Sequence, residues 1–398
     1  MVDSVQHRMG RRPVVAIALG ALLAVLVAAS APSGNSTLVT TPSPVAQKSP
    51  LHLSLTPVDQ APAVWPAEPV TVYATNGKLT QAALAGADGT PVAGTLAADG
   101  SSWTSTEPLA YSRSYSLSAT GTGEDGRAVT ATSNFHTITP DNKVAVVTTP
   151  GDDQVVGVGH PITFALDEPV RDKAAFERAV SVTSEPSVPG GFYWFDDRHV
   201  HWRPAGYWPA HTSVHVRAKI FGKDFGGGLF GQADVTTNFT IGDAVITEAD
   251  GGSHQMTVSI NGQVARTAPI SMGKPGSPTD NGTYVVTEKL AHMIMDSRTY
   301  GLALDAGGYV TPVDWATRIS AGGIFVHSAP WSVGDQGYRN VSHGCINASP
   351  EVANWFYNLA KPGDVVTVTN SGGPTLNPQD GLGDWNIPWD QWQTGGNR

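Results

Sequence analysis

Apolar and polar residues alternate along most of the chain from about residue 53 onward. YSLSAT at 115–120 and AVTATSNF at 128–135 show the period of two expected of strands that bury one face. Turn-forming clusters cut the alternation at short intervals: TNG at 75–77, ADG at 87–89 and GEDG at 123–126. This pattern predicts one β-sandwich over 53–141, with Trp103 in its core. A second set of strands is expected over 142–243, in VAVVTTP (144–150), PITFALDEPV (161–170), HVHWRP (199–204) and ADVTTNFTIGD (233–243). KAAFERAVSV at 173–182 reads as a short helical insertion. From 244 the alternation resumes in hairpin-like runs broken by DGG and NG, continues through GTYVVTEKLAHMIMD, and reaches a buried strand, IFV, that ends on His327. The MIM triplet at 293–295 is expected to be mostly core.

A single segment changes period. In SPEVANWFYNLAKPGD (349–364), Val352, Trp355, Phe356 and Leu359 recur at helical spacing. Ser349 suits the N-cap and Pro350 the first turn, Glu351 favours the positive end of the dipole, and Pro362-Gly363 stop the helix. The two sandwich blocks have the length and turn spacing of immunoglobulin-like domains without the antibody-type disulfide. The predicted class is therefore mainly β: two immunoglobulin-like β-sandwiches, then a third β-rich domain over 244–371 with a short helix, and a tail over 372–398. That tail is polar but carries Trp385, Trp389 and Trp392, so it is expected to dock on the third domain or the preceding sandwich.

Composition adds a direction of export. RMGRR at 8–12 precedes an apolar run from Val14 to Ala29 and small residues at 28–31, so 1–31 reads as a signal peptide or a signal anchor. Residues 32–52, rich in Ser, Thr and Pro, read as a linker. The implied location is the cell-wall side of the cytoplasmic membrane, anchored or released. Membrane association would run through the N-terminal segment. The net charge of −10 and the lack of a basic footprint after the leader argue against a nucleic-acid partner. His199, His201, His211 and His215 with Asp196 and Asp197 invite a zinc site, but they lack a compact ligand framework and are read as polar surface. No cofactor is expected.

The remaining chemistry lies in NVSHGCINASP at 340–350. Cys345 is the only cysteine of the chain, so no internal disulfide can claim it. It precedes a well-specified helix and follows His343 and Gly344, a place suited to a nucleophile. A thiol near its reference pKa of about 8.5 needs an imidazole to become reactive at neutral pH. His327, delivered from a separate strand end, is read as the general base, and His343 as a residue that shapes the site. The amides of His343, Gly344 and Cys345 could receive an oxyanion. Asp335, Asp314 or Ser328 could orient the imidazole, and the residues alone leave these options open.

His327, a gap of fourteen residues, then Ser342-His343-Gly344-Cys345-Ile346-Asn347 resembles the signature of L,D-transpeptidases. HSAPWSVG at 327–334 and IMDSRTYG at 294–301 resemble the mycobacterial-type members, as does the order of the domains. The resemblance implies that Cys345 is the nucleophile, His327 the base, Ser328 its supporting neighbour, and the backbone at His343-Gly344-Cys345 the oxyanion hole. It also implies that Asn347 orders the site and that Met295, Tyr309, Trp331, Ser342 and Asn347 lie along the substrate path. The segment 296–324 would form a hairpin lid. The implied reaction takes a peptidoglycan tetrapeptide stem as donor, releases D-alanine through a thioester, and passes the acyl group to a diaminopimelate amine of a second stem. Carbapenems would acylate the same sulfur. Water as acceptor would make an L,D-carboxypeptidase, and an inert Cys345 would leave a wall-binding protein. Lipid attachment is not implied, since the leader has no cysteine.

Overall fold

The computed structural model describes residues 49–398; the apolar 14–29 run of the proposed leader lies outside them. The period-two segments pair as ladders. In the first block, His52–Thr56, Thr71–Thr75, Ser102–Ser105 and Gly94–Leu96 make one sheet, and Pro91–Val92, Gly77–Gly86, Ser114–Gly123 and Ala128–His136 make another. Leu79, Leu84, Trp103, Leu117 and Phe135 share one buried core. In the second block, the Ile162–Leu166 and His199–Pro204 strands lie at the centre of one four-stranded sheet. Val235–Ile241 and Ser213–Ala218 lie at the centre of another. The helical insertion is Lys173–Ala179, capped by the Asp172 carboxylate on the Ala175 N–H, and its Phe176 sits in the core against Phe164 and Trp194.

The two sandwiches meet through aromatic rings. Trp65 lies 5.4 Å from Phe230 and Tyr111 4.9 Å from Phe221 between ring centroids. The Tyr111 hydroxyl donates to the Gly231 carbonyl at 2.7 Å and accepts from the Gly222 N–H at 2.8 Å.

The third block has a five-stranded sheet in the order Gln263–Pro269, Gln255–Ile260, Val245–Asp250, Val365–Thr369, Gly282–Val285. Beside it stands a four-stranded sheet of Glu288–Asp296, Val310–Arg318, Phe325–Ser328 and Ile346–Ala348. The helix Pro350–Leu359 begins where its signals place it: the Ser349 hydroxyl accepts from the Val352 N–H, and Val352 and Phe356 are buried. The long Glu288–Asp296/Val310–Arg318 hairpin carries two short 3₁₀ turns at its tip. Alternation along its first strand buries Met295 but leaves Ile294 67% exposed, so the MIM triplet is not uniformly core.

The tail docks mainly on the second sandwich. The buried Arg203 guanidinium lies 4.6, 5.4 and 4.2 Å from the rings of Trp385, Trp389 and Trp392, and the Trp392 indole N–H donates to the Gly191 carbonyl. Asn386 reaches the catalytic block by exchanging two hydrogen bonds with the Thr283 backbone. The four histidines considered for zinc take separate partners: His199 with Asp196, His201 with Asp384, His211 with Asp243 and His215 with Asn238.

Candidate active site

Two short parallel strands, Phe325–Ser328 and Ile346–Ala348, bring the sequence candidates together. Their register pairs Val326 with Ile346 and His327 with Asn347, so Cys345 stands two residues before the partner of the residue that carries the imidazole. The stretch after the thiol is thus a strand rather than loop. Cys345 and His327 both line a cavity of about 220 Å³, together with Met295, Tyr309, Trp331, Ser342, His343 and Asn347. Ser328 lies behind His327 and Gly344 beside the thiol.

The imidazole is oriented by backbone. His327 Nδ1 lies 2.9 Å from the Ser328 carbonyl oxygen. A carbonyl can only accept, so Nδ1 carries the proton and Nε2 keeps its lone pair. The Ser328 hydroxyl takes no part. Neither carboxylate candidate reaches the ring, because Asp314 is on His292 and Asp335 on Arg339. Burial pushes the His327 pKa down, against the Ser328 carbonyl and the Asn347 side chain, which favour the charged form. Asn347 is itself fixed by donating to the Ser332 hydroxyl at 3.1 Å. His327 is therefore a neutral base.

The thiol is also neutral. Cys345 Sγ donates to the Gly323 carbonyl at 3.6 Å rather than to an imidazole. Burial pushes its pKa up to about 11, although the Phe325 N–H and the Arg318 charge favour the thiolate. Burial penalises the charged forms of both partners at once, so the resting geometry favours the neutral thiol beside the neutral imidazole. A side chain at Gly323 would be strained: its φ is +92°, and a Cβ would lie 2.2 Å from the Tyr300 ring. The tip of the hairpin thus packs over the residue that holds the thiol proton.

The nucleophile loop is tied from two sides. The Ser342 hydroxyl donates to the Cys345 carbonyl at 2.7 Å and accepts from the Gly344 N–H at 3.1 Å. Its one proton is used, so Ser342 is a staple of the loop rather than a donor to substrate. The Gly344 N–H is spent too, so of the three amides expected to receive an oxyanion only those of His343 and Cys345 remain candidates. Gly344 contributes its backbone, with φ at +131°. From outside the motif, the Thr279 hydroxyl donates to the Gly344 carbonyl at 2.7 Å and accepts from the Gly273 N–H.

His343 faces the opposite wall. Its ring lies 5.0 Å from that of Tyr309, and its Nε2 is 2.9 Å from the Lys274 ammonium. An ammonium can only donate, so His343 Nε2 accepts and its own proton sits on Nδ1. Burial first, and the Lys274 charge second, hold the His343 pKa down. Trp331 stands 6.1 Å from the His327 ring and is 58% exposed, an aromatic wall at the mouth; Met295 packs with Cys345, Val313 and Phe325. Sequence reasoning missed Thr279, Gly323 and Lys274. Of these only Lys274 left a signal, as the lone cation between Arg266 and Lys289.

A family model for the bacterial Ig domain matches residues 61–224, and one for the L,D-transpeptidase catalytic domain matches 245–368. L,D-transpeptidase 2 of Mycobacterium tuberculosis is 49% identical over 328 residues, covering 82% of this chain and 80% of the relative. L,D-transpeptidase 5 of the same species is 38% identical over 349 residues, covering 86% and 76%. A solved L,D-transpeptidase in complex with imipenem superposes with a TM-score of 0.51 at 40% identity, over 58% of this chain and 100% of that one.

Proposed function

The chain belongs to the L,D-transpeptidase family, and from that premise we propose that it forms 3→3 cross-links between peptidoglycan stems through a thioester on Cys345. The observation that supports this most directly is the meeting of Cys345 and His327 in one cavity, with the imidazole Nε2 free to take a proton. A donor tetrapeptide places the carbonyl of its third residue against the sulfur. The thiol gives its proton to His327 Nε2 as sulfur bonds to carbon, and the oxygen takes up negative charge beside the N–H groups of His343 and Cys345. Collapse breaks the bond to the terminal D-alanine, and the His327 imidazolium protonates the departing amine. The neutral side-chain amine of diaminopimelate then attacks the thioester, His327 accepts its proton, and the thiol is restored.

Burial of both partners fits this order. A proton that moves only when the carbonyl arrives keeps an exported thiol un-ionised, and so less open to oxidation, while it waits. The apolar cavity walls and the hairpin above them exclude water that would hydrolyse the thioester. The same sulfur would be acylated by carbapenems. The leader would carry the chain to the wall side of the membrane, and the sandwiches would set the distance of the active site from it.

Intact-protein mass spectrometry with a disaccharide-tetrapeptide tests the reading. The expected result is an adduct on Cys345 of the donor minus D-alanine, followed by a cross-linked dimer. Accumulation of tripeptide alone would make the protein an L,D-carboxypeptidase, and no adduct from any stem peptide would end the proposal.

A further inference from the structure

We propose that Lys274, with His343 beside it, forms a carboxylate-binding subsite at the rim of the Cys345 cavity, and that it holds a free carboxylate of a stem peptide. The proposal rests on the transpeptidase reading and adds to it a group that recognises charge. The position of Lys274 is fixed by the same contacts that fix the nucleophile. Its N–H donates to the Ser342 carbonyl at 2.9 Å, and the following turn closes with the Ser277 N–H on the Lys274 carbonyl. Gly273 before it is packed so closely that a Cβ would stand 2.2 Å from the Ser277 carbonyl oxygen. Thr279 ties the end of this loop to Gly344.

The ammonium is set against a neutral ring and not against an anion. One of its three N–H donors goes to His343 Nε2 at 2.9 Å, and among the described residues none of its salt bridges is to a carboxylate. The other cations around the cavity are committed: Arg318 to Glu288, Arg339 to Asp335, Arg298 to Asp296. Asp335, the one acid on the cavity wall, is held at 2.5 Å by Arg339. The rest of the wall mixes apolar and aromatic residues such as Met295, Tyr309 and Trp331 with the neutral polar Thr311, Ser332 and Asn347, and adds no lysine or arginine. A peptide carboxylate brought into such a cavity loses hydration and needs a charged donor, and Lys274 is the uncommitted one. Two carboxylates qualify: that of the donor's terminal D-alanine and that of the acceptor's diaminopimelate.

The test compares wild type, Lys274→Met and Lys274→Arg. Donors end in D-alanine as free acid or primary amide, and acceptors carry the diaminopimelate carboxylate free or amidated. Thioester formation is followed alone, then transfer. Losing a hydrogen bond to a charged group costs about tenfold to a hundredfold. The Met variant is expected to lose that much in kcat/KM on the charged form and less than about twofold on its amide, with Arg restoring most of it. Charge-selective loss in thioester formation assigns the subsite to the donor, and loss confined to transfer assigns it to the acceptor. Equal loss on charged and amidated partners in both steps, or no loss, overturns the proposal. Should wild type accept no stem peptide, acylation by a carbapenem acid against its carboxylate ester decides: acid-selective loss in Lys274→Met supports the subsite, and equal rates overturn it.

Discussion

Cys345 and His327 must exchange a proton, and each is held in the form that makes the exchange wait for substrate. The Cys345 pKa is raised to about 11 by burial, above the roughly 8.5 of an unfolded thiol. The sign follows: the folded chain holds this proton more tightly, so the associated stability is complete below about pH 8.5 and is lost as pH rises through about 11. The free protein should accordingly be alkylated by iodoacetamide at a rate that climbs about tenfold per pH unit toward pH 11. A plateau reached below pH 8 would mean a preformed thiolate and would contradict the Sγ–Gly323 hydrogen bond as the resting state. Substitution separates the roles of the neighbours. Cys345→Ala should abolish carbapenem acylation, and His327→Ala should slow it by about 10²–10⁴-fold, the range of a lost general base. Ser328→Ala should change it only severalfold, because the carbonyl that holds His327 Nδ1 survives the substitution. His343→Ala should fall between, since that ring is committed to Lys274. Stopped-flow acylation of the four variants checks the ranking, and a larger loss at His343 than at His327 would move the base.

At the scale of elements, the nucleophile is only as well placed as the loop 342–345. That loop is closed by Ser342 from within and by Thr279 from a segment 65 residues away. Thr279→Val keeps the shape but removes the hydroxyl from between the Gly344 carbonyl and the Gly273 N–H, both remote from water. The expected cost is about 1–3 kcal/mol in unfolding free energy, with a matching fall in acylation rate if the loop carries the strain. Denaturant melts and acylation rates measured on the same preparation check both. Unchanged acylation would show that the Ser342 staple suffices alone. These contacts also show what the chain disclosed in advance. The Pro350–Leu359 helix was legible because its cap, its first-turn proline and its apolar stripe are all local. The His327/Cys345 pairing was legible because the motif spacing is specific. Thr279 was not legible, since a lone threonine in a turn gives no sign of its long-range partner. Nor was Ile346–Ala348, because a three-residue strand owes its existence to the ladder with Phe325–Ser328 and to no periodicity of its own.

Across the whole molecule, the second sandwich and the catalytic block are joined by backbone. The Gly157 and Gly159 N–H groups donate to the Pro362 and Gly363 carbonyls at 2.8 Å, and Val365 of the catalytic sheet is buried in the sandwich core. A Cβ on Gly157 would lie 2.3 Å from the Asp364 N and carboxylate oxygen, so this seam admits only glycine. Its closeness leaves Asp364 1% exposed, with the Lys361 ammonium 3.1 Å from one oxygen and the Lys361 N–H on the other. Burial outweighs Lys361 and raises the Asp364 pKa to about 6 from an ordinary 3.8. A carboxyl whose pKa rises on folding stabilises the fold most when protonated. Its contribution is complete below about pH 4 and is lost as pH climbs through 6, with a span of roughly 3 kcal/mol between those limits. Asp364→Asn has no proton to lose, so its stability relative to wild type should increase steadily from pH 4 to pH 7. Other carboxylates, such as Asp250, have depressed pKa values and pull the wild-type curve the opposite way, but they are common to both proteins and cancel in the difference. Urea melts of the two chains across that pH range read the difference directly. A constant gap would mean that Asp364 is ionised in the seam throughout, and that Lys361 rather than burial sets its charge.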